Sequence, residues 1–297
     1  MIDKLEFLLA LAREQHFGRA AEACGVTQPT LSAGVKQLED SFGVLLVNRG
    51  SRFQDFTPEG ERVLDWARRI VGDSRAMREE VHALKHGLTG RLRIAAIPMA
   101  LAMIETLTTL YHERHPGVQF TVLSYNSTEI FRLLENLEID AGVTYLDGEP
   151  IGRVTGVPLY RERYRLLTST DAPLGNRDKV TWAEVAQVPL CLLTPDTQTR
   201  RIIEGLLRAA GGDPKISLES DSMIVLYSHV RTGRWASVMP ARLAATLGLT
   251  DVLRSIPIVE PEASHTIGLV VPVRQPMKPL TAALVVEARR AAQLLAD

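Results

Sequence analysis

The sequence predicts an α+β N-terminal winged helix-turn-helix, then a long linker helix, then an α/β region of two lobes. Three observations lead there. Residues 20–39, AAEACGVTQPTLSAGVKQLE, hold two helical runs with room between them only for a tight turn. Between Val63 and Leu88 the seam positions recur at alternating spacings of four and three, apolar at all but Ser74. From Arg91 onward, short apolar strands alternate with helical stretches, the pattern of a sheet covered by helices.

Leu5, Leu8, Leu9 and Ala12 share a helical face and predict a first helix packed behind the helix-turn-helix. In the next run Ala20, Ala21 and Cys24 recur, and Gly25 supplies the left-handed residue that ends a helix without a Cβ penalty. Thr27 caps the following helix, where Pro29 is harmless because first-turn amides lack helical partners. Leu31, Val35, Leu38 and Phe42 fall on one face and should bury. The opposite face carries Gln28, Pro29, Thr30, Ser32, Ala33, Lys36 and Gln37. These small or hydrogen-bonding side chains let a backbone approach DNA closely and meet base edges or phosphates. An apolar, turn, apolar stretch over residues 45–56 reads as a β-hairpin wing with Arg49 and Arg52 near its tip.

Thr57-Pro58 is a helix start, and nothing stops that helix before Gly87 or Gly90. At ~1.5 Å per residue it spans about 45 Å, too long for one small domain. Val63, Ala67, Ile70, Ser74, Met77, Val81, Leu84 and Leu88 follow the spacing of a coiled-coil seam. The seam predicts dimerisation through Val63, Ile70, Met77, Val81 and Leu84. His82 and His86, one turn apart beside Lys85, read as a solvated face rather than a metal site.

Beyond Arg91, residues 92–97 form a strand, Pro98 opens a helix to 115, and 118–124 form a strand. Asn126 or Ser127 caps a helix through 137, with Glu129 spaced for a capping box, and 139–145 is the third strand. Such alternation predicts a parallel sheet. A second set follows: strands at 157–159 and 164–168, a capping box from Thr181 to Glu184, and a strand at 189–193. Then come a helix at 199–210, strands at 217–219 and 237–239 around a helix at 222–232, and a strand at 266–271. The final helix, 279–296, turns Leu280, Leu284, Ala288, Ala291 and Leu295 inward. Helix starts at Met99-Ala100, Ser127-Thr128 and Thr197-Gln198-Thr199 face one cleft, with Thr144 at the end of the third strand. Aligned amides and hydroxyls there favour a small anion.

At 297 residues the chain predicts two or three domains. It holds 34 basic and 35 acidic residues, so phosphate contacts must come from a local cluster rather than a basic domain. The charged start excludes a signal peptide or membrane span, and a cytoplasmic protein is expected. Cys24 and Cys191 sit in apolar stretches as small buried hydrophobes, and the C-terminal part lacks a second cysteine for a redox switch. No nucleophile elbow, phosphate loop, dinucleotide fingerprint or His-Glu-x-x-His is present, so neither catalysis, cofactor nor metal is expected.

Phe7, Ala20-Ala21, Val26-Thr27-Gln28-Pro29, Leu31-Ser32, Leu38-Glu39, Gly43, Leu46, Asn48-Arg49, Thr57 and Gly60 together resemble the N-terminal module of the LysR-type transcriptional regulators. The two C-terminal lobes resemble that family's effector domain, which is shaped like periplasmic binding proteins. The resemblance implies a DNA-binding domain at 1–57, a linker and dimerisation helix at 58–90 and an effector-binding domain at 91–297. Lobe I would comprise 91–160 and 268–297, and lobe II 161–267, joined by crossovers near 160–163 and 265–268. It further implies double-stranded DNA with an interrupted palindrome in promoters, a small anionic effector, dimers and tetramers, RNA polymerase as a partner, and no membrane. Many relatives carry a Ser or Thr where this chain has Pro98-Met99-Ala100, which argues against the dicarboxylates those relatives read and makes Met99 an apolar wall of the cleft. Gly233-Arg234-Trp235 departs from a common Gly-x-Gly. The competing reading is a cytoplasmic metabolite-binding protein or enzyme with a helical N-terminal interaction module.

Overall fold

The structure is a computed structural model that describes residues 1–49, 53–147, 154–246 and 252–295. Its contacts divide into two units. The first comprises Met1–Leu88 with Glu135–Glu138 and Arg274–Pro279, and the second comprises Thr89–Leu134, Ile139–Val273 and Leu280–Asp297.

In the first unit α1 (Ile2–Glu14) packs against α2 (Phe17–Ala23), α3 (Gln28–Phe42) and the start of α4 (Pro58–His86). Between α3 and α4 lies an antiparallel hairpin of β1 (Val47–Arg49) and β2 (Phe53–Phe56). Gly25 is left-handed at φ 66° and turns the chain from α2 to α3. Thr27 caps α3, its Oγ1 accepting the Thr30 amide at 3.4 Å. Leu5, Leu8, Leu11, Leu31, Val35, Leu38, Leu64, Ala67 and Val71 form the buried core. Each such leucine contributes about 2 kcal/mol. Phe42 departs from expectation: it is 47% exposed, and Gly34 takes the inward place. A Cβ at Gly34 would lie 2.6 Å from the Phe7 ring, so α1 and α3 touch there through a glycine.

The long helix carries two apolar faces where the spacing suggested one. Leu64, Ala67 and Val71 bury in the core of their own unit, Val63 packs partly against the same core, and Ala76 is also buried. Ala67 and Val63 are therefore not free seam positions. Ile70, Met77, Val81 and Leu84 stay exposed, Leu84 by 83%. On a third face, Arg68, Gly72 and Glu79 receive the segments at 135–138 and 274–279. Arg68 donates from Nη2 to Asn136 Oδ1 at 3.3 Å, and Lys278 Nζ lies 3.5 Å from Glu79 Oε1. The Arg274 guanidinium fills the notch at Gly72, donating from Nη2 to Arg68 O at 3.3 Å; a Cβ on Gly72 would overlap it.

The second unit runs β3 (Gly90–Ala96), a 3-10 turn (Pro98–Met103), α5 (Ile104–Arg114), β4 (Val118–Ser124), α6 (Ser127–Glu135) and β5 (Ala141–Tyr145). It continues with β6 (Val154–Ser169), β7 (Val180–Thr181), α7 (Trp182–Val185), β8 (Leu190–Leu193), α8 (Gln198–Ala209), β9 (Ile216–Ser220), α9 (Met223–Val230) and β10 (Ser237–Pro240). Last come α10 (Ala241–Thr246), β11 (Leu253–Val259), β12 (Ser264–Pro272) and α11 (Pro279–Leu294). The single helix expected after Pro98 is broken, a 3-10 turn preceding α5, and the two short strands expected at 157–168 are one, β6.

Nor is the sheet parallel throughout. Its order is β4-β3-β5-β12-β6-β11-β7 with β10 also on β6; β3 is parallel to β4 and β5, whereas β12 is antiparallel to both β5 and β6. Strand β6 pairs with β12 over Val154 to Arg163, then with β10 and β11 from Tyr164. The expected crossovers thus lie side by side in β6 and β12, with a register shift between Ile267 and Gly268. Two lobes hang from this pair. The parallel β8–β9 pair and the core around Trp182, Leu192, Ile203 and Leu226 build the second lobe.

Exchanging a helix-interior glycine for alanine usually stabilises by ~0.5–1 kcal/mol. Gly72→Ala should give no such gain in the natural chain, because the methyl displaces Arg274, and should recover it in an Arg274→Ala background. Denaturant unfolding of the four proteins in a double-mutant cycle measures this, and additive effects would place the guanidinium elsewhere.

Candidate functional site

Two assemblies of polar side chains stand apart from the cores. The first is the outward face of α3. Gln28, Pro29, Thr30, Ala33, Lys36 and Gln37 are exposed there, and Ser32 is half-buried. Burial of Leu31, Val35 and Leu38 on the other side fixes which face looks outward. The Thr27 and Thr30 hydroxyls share a hydrogen bond of 2.9 Å, tying down the first turn. At the start of α2 the His16 Nδ1 accepts the Gly18 and Arg19 amides at 3.0 and 3.3 Å. Asn48 is exposed on β1. Arg49 lies in β1 opposite Phe53, and Arg52 falls outside the described residues.

The hairpin is held to α3 by a residue whose role sequence reasoning missed. Glu39, only 6% exposed, accepts the Leu46 amide at 3.0 Å and the Val47 amide at 3.3 Å. A carboxylate on an otherwise apolar face, one turn before the helix end, was the signal available. Phe53 adds edge contacts to Phe17 and Phe56, so the wing has an apolar anchor as well.

The second assembly lies in the second unit, where the lobes meet. Thr144 Oγ1 donates to Ser127 Oγ at 2.9 Å, and Ser127 Oγ donates to Gln198 Oε1 at 2.9 Å. Gln198 Nε2 in turn donates to Asp147 O at 3.3 Å. Asn126 caps α6, its Oδ1 accepting the Glu129 amide, and its Nδ2 donates to Asp196 Oδ2 at 2.9 Å. The expected capping box is thus half made, because the Glu129 carboxylate pairs with Arg132 instead. Tyr145 OH lies 3.1 Å from Thr199 Oγ1 and 3.5 Å from Tyr164 OH, which reaches His265 Nδ1 at 3.0 Å. Burial pushes the Tyr145 hydroxyl up to about 12, moves Tyr164 the same way, and pulls His265 down. These rings therefore meet as neutral groups.

Ser127, Thr144, Gln198 and Thr199 are thus brought together, all buried. Other expected residues are not. Thr128 is exposed, one helix position round from Ser127. Thr197 spends its hydroxyl on its own helix start, donating to Thr194 O at 2.9 Å and accepting the Arg200 amide. Met99 is no cleft wall, since it packs into the apolar core with Tyr164 and Leu166, and Ala100 is fully buried. Arg200, unforeseen, is buried and bonds Leu193 O, Glu204 and Glu219, joining β8, α8 and β9.

Comparison with known proteins adds three findings. Residues 2–61 match the model described as bacterial regulatory helix-turn-helix protein, lysR family, and residues 85–293 match the LysR substrate binding domain. The hydrogen peroxide-inducible genes activator of Escherichia coli is 30% identical over 270 residues, covering 91% of this chain and 88% of that protein. Among solved structures, a full-length OxyR variant from Pseudomonas aeruginosa superposes with a TM-score of 0.77 at 26% identity, covering 97% of each chain. Full-length CbnR complexed with its target DNA has the same fold, with a TM-score of 0.63 at 21% identity over 98% of this chain and 99% of that one.

Glu39→Ala should leave two buried amides unpaired and cost about 1–3 kcal/mol, while Glu39→Gln, which keeps one acceptor, should cost less. Chemical denaturation measures both. Equal costs would show that the carboxylate does not hold the wing.

Proposed function

The chain belongs to the LysR family of DNA-binding transcriptional regulators with an effector-binding domain, and on that premise we propose which residues perform each task. The outward face of α3 reads DNA: Gln28, Thr30, Ser32 and Gln37 offer hydrogen bonds to base edges, Pro29 and Ala33 permit close approach, and Lys36 meets phosphate. Arg49 and Arg52 contribute phosphate contacts from the wing. The observation that carries this reading is the burial of Leu31, Val35 and Leu38, which leaves α3's other face polar, small and exposed. Residues 1–57 act as the DNA-binding domain and 58–90 as the linker.

Ile70, Met77, Val81 and Leu84 of α4 pair with a second copy, placing two α3 helices on the half-sites of an interrupted palindrome. Pairs of such dimers make a tetramer in the cytoplasm, where RNA polymerase is the further partner. Residues 91–297 bind a small anion between the lobes, through Ser127, Thr144, Gln198 and Thr199 rather than Thr128, Thr197, Met99 and Ala100. The peroxide response named for the relatives does not follow for this chain. Cys191 is fully buried and its thiol is pushed up to about 11 by burial, with no second cysteine in that domain to resolve an oxidised one. Cys24, half-buried in the DNA-binding part, is raised for the same first reason.

A gel-shift on the protein's own upstream DNA tests the first assignment. Lys36→Ala should weaken all sequences alike and reduce the salt slope by about one unit, whereas Gln28→Ala should cost about 1–3 kcal/mol mainly on the specific site. Unchanged binding in both variants would sink it. For the cleft, thermal shifts with small carboxylates and inorganic anions should show at least one stabilising ligand. The shift should vanish in Ser127→Ala with Gln198→Leu while DNA affinity stays intact; a retained shift would move the site elsewhere.

A further inference from the structure

Strand β6 places Tyr160, Glu162 and Tyr164 on one face, in the stretch where the chain crosses between lobes, and the first two take no part in the cleft just described. Glu162 is buried, 2% exposed, and sits opposite His265 in the register of β6 with β12. A carboxyl in such a place is rare unless paired with a cation. Its surroundings are mostly neutral. On its own strand it accepts the Arg163 amide at 3.1 Å, with Tyr160 and Tyr164 two residues to either side. Across the pair lies His265, committed to Tyr164, and beyond it Tyr145 on β5. From α10 come the Ala241 amide and Arg242. Among the described residues Arg242 is the cation that acts on the carboxyl, and it is engaged elsewhere, stacking 5.2 Å over the Tyr160 ring and donating to Leu295 O. The 3-10 turn against α10, Pro98–Met103, contains no ionisable side chain.

Burial therefore dominates, pushing the Glu162 carboxyl up to about 8, with the Arg163 amide, Arg242, the Tyr160 hydroxyl and the Ala241 amide opposing only in part. At neutral pH the acid form occupies the crossing. The ionised form gains most by reaching water, and the only way there is to alter how β6, β12 and α10 pack.

We propose that Glu162 makes the crossing between the lobes responsive to protons: the neutral acid holds the packed arrangement, and its ionisation favours a different hinge angle. Protons then bias the same element as the small-molecule effector, so this inference rests on the two-lobed hinge being the signalling element. A group whose pKa differs by one unit between two arrangements biases them about tenfold across its titration. The sign follows from linkage. With its folded value above the ordinary carboxylate value, Glu162 keeps its proton in the folded chain while the unfolded chain has lost it. Stability is greatest below the unfolded value and falls as pH rises toward about 8.

The experiment uses the full-length protein, Glu162→Gln and Arg242→Gln. Infrared difference spectra across about pH 5 to 10 should show a protonated-carboxyl band that persists well above the ordinary carboxylate range and is missing in Glu162→Gln. Arg242→Gln should carry the titration higher still, which a merely structural arginine would not do. Thermal midpoints should fall with rising pH more steeply in the natural chain than in Glu162→Gln. Gel-shift affinity on the upstream DNA should change with pH by up to about tenfold in the natural chain, relative to Glu162→Gln. A carboxyl that ionises in the ordinary range overturns the buried-acid assignment. Parallel pH profiles of DNA affinity, with the infrared titration intact, overturn the switch. Loss of DNA binding at every pH would instead count against the regulator reading, which the infrared arm does not depend on.

Discussion

Both lobes of the effector-binding part share β6 and β12, and this sharing constrains everything around it. A strand pair common to two bodies must satisfy its backbone groups in either arrangement of those bodies, so the ladder itself cannot be the part that breaks. What yields is the register irregularity at Ile267 and Gly268 and the side chains that bridge the gap. A Cβ at Gly268 would press on Leu146 and on the Val157 carbonyl. The glycine therefore lets β5, β6 and β12 close up at the point where the pairing shifts. From this follow the polar bridges Ser127 to Gln198 and Asn126 to Asp196, which lie where two bodies on a common stem come closest.

The linker helix answers a different constraint. One 29-residue helix cannot turn all its apolar side chains to one partner when some of them, such as Leu64 and Val71, fall outside the alternating seam. Leu64, Ala67 and Val71 complete the core of their own domain, while Ile70, Met77, Val81 and Leu84 keep a neighbouring face apolar and exposed. The alternating spacing was legible in the sequence. Its division into two faces was not, because Ala67 is compatible with either, and only the position of α1 decides. The Gly72 notch was equally silent, since a glycine in a helical run reads as a weak propensity and not as space for a guanidinium over two hundred residues away.

In the DNA-binding domain, local chemistry was nearly enough: a left-handed glycine, a threonine cap and a tolerated proline specify the turn and the start of α3 from near neighbours. Phe42 misled because it continues the period past the point where neighbours exist to cover it. In the effector part the caps of α6 and α8 were legible, since caps are local, and these two starts meet at Ser127 and Gln198, whereas Met99 and Ala100 lie in the core. Strand direction was not. The antiparallel return of β12 between β5 and β6 depends on pairing between residues more than a hundred positions apart, and apolar runs carry no sign of direction. The split between Ser127 and Thr128 hung on a helical phase of one residue.

That split bears on how an effector acts. The hydroxyls and amide that meet in the cleft already bond one another, Thr144 to Ser127 to Gln198, across the two lobes. A ligand entering there exchanges those bonds for its own, and only the difference between the two sets can move the hinge. Neutral partners make that difference favourable for an anion, because a charge-assisted hydrogen bond is about twice as strong as the neutral one it replaces. A tenfold regulatory effect needs only about 1.4 kcal/mol of such difference. An uncharged ligand with the same hydroxyl pattern would recover little more than it displaced. On the anion reading proposed above, selectivity for charge would come from the neutral hydrogen bonds that the cleft residues already make with one another.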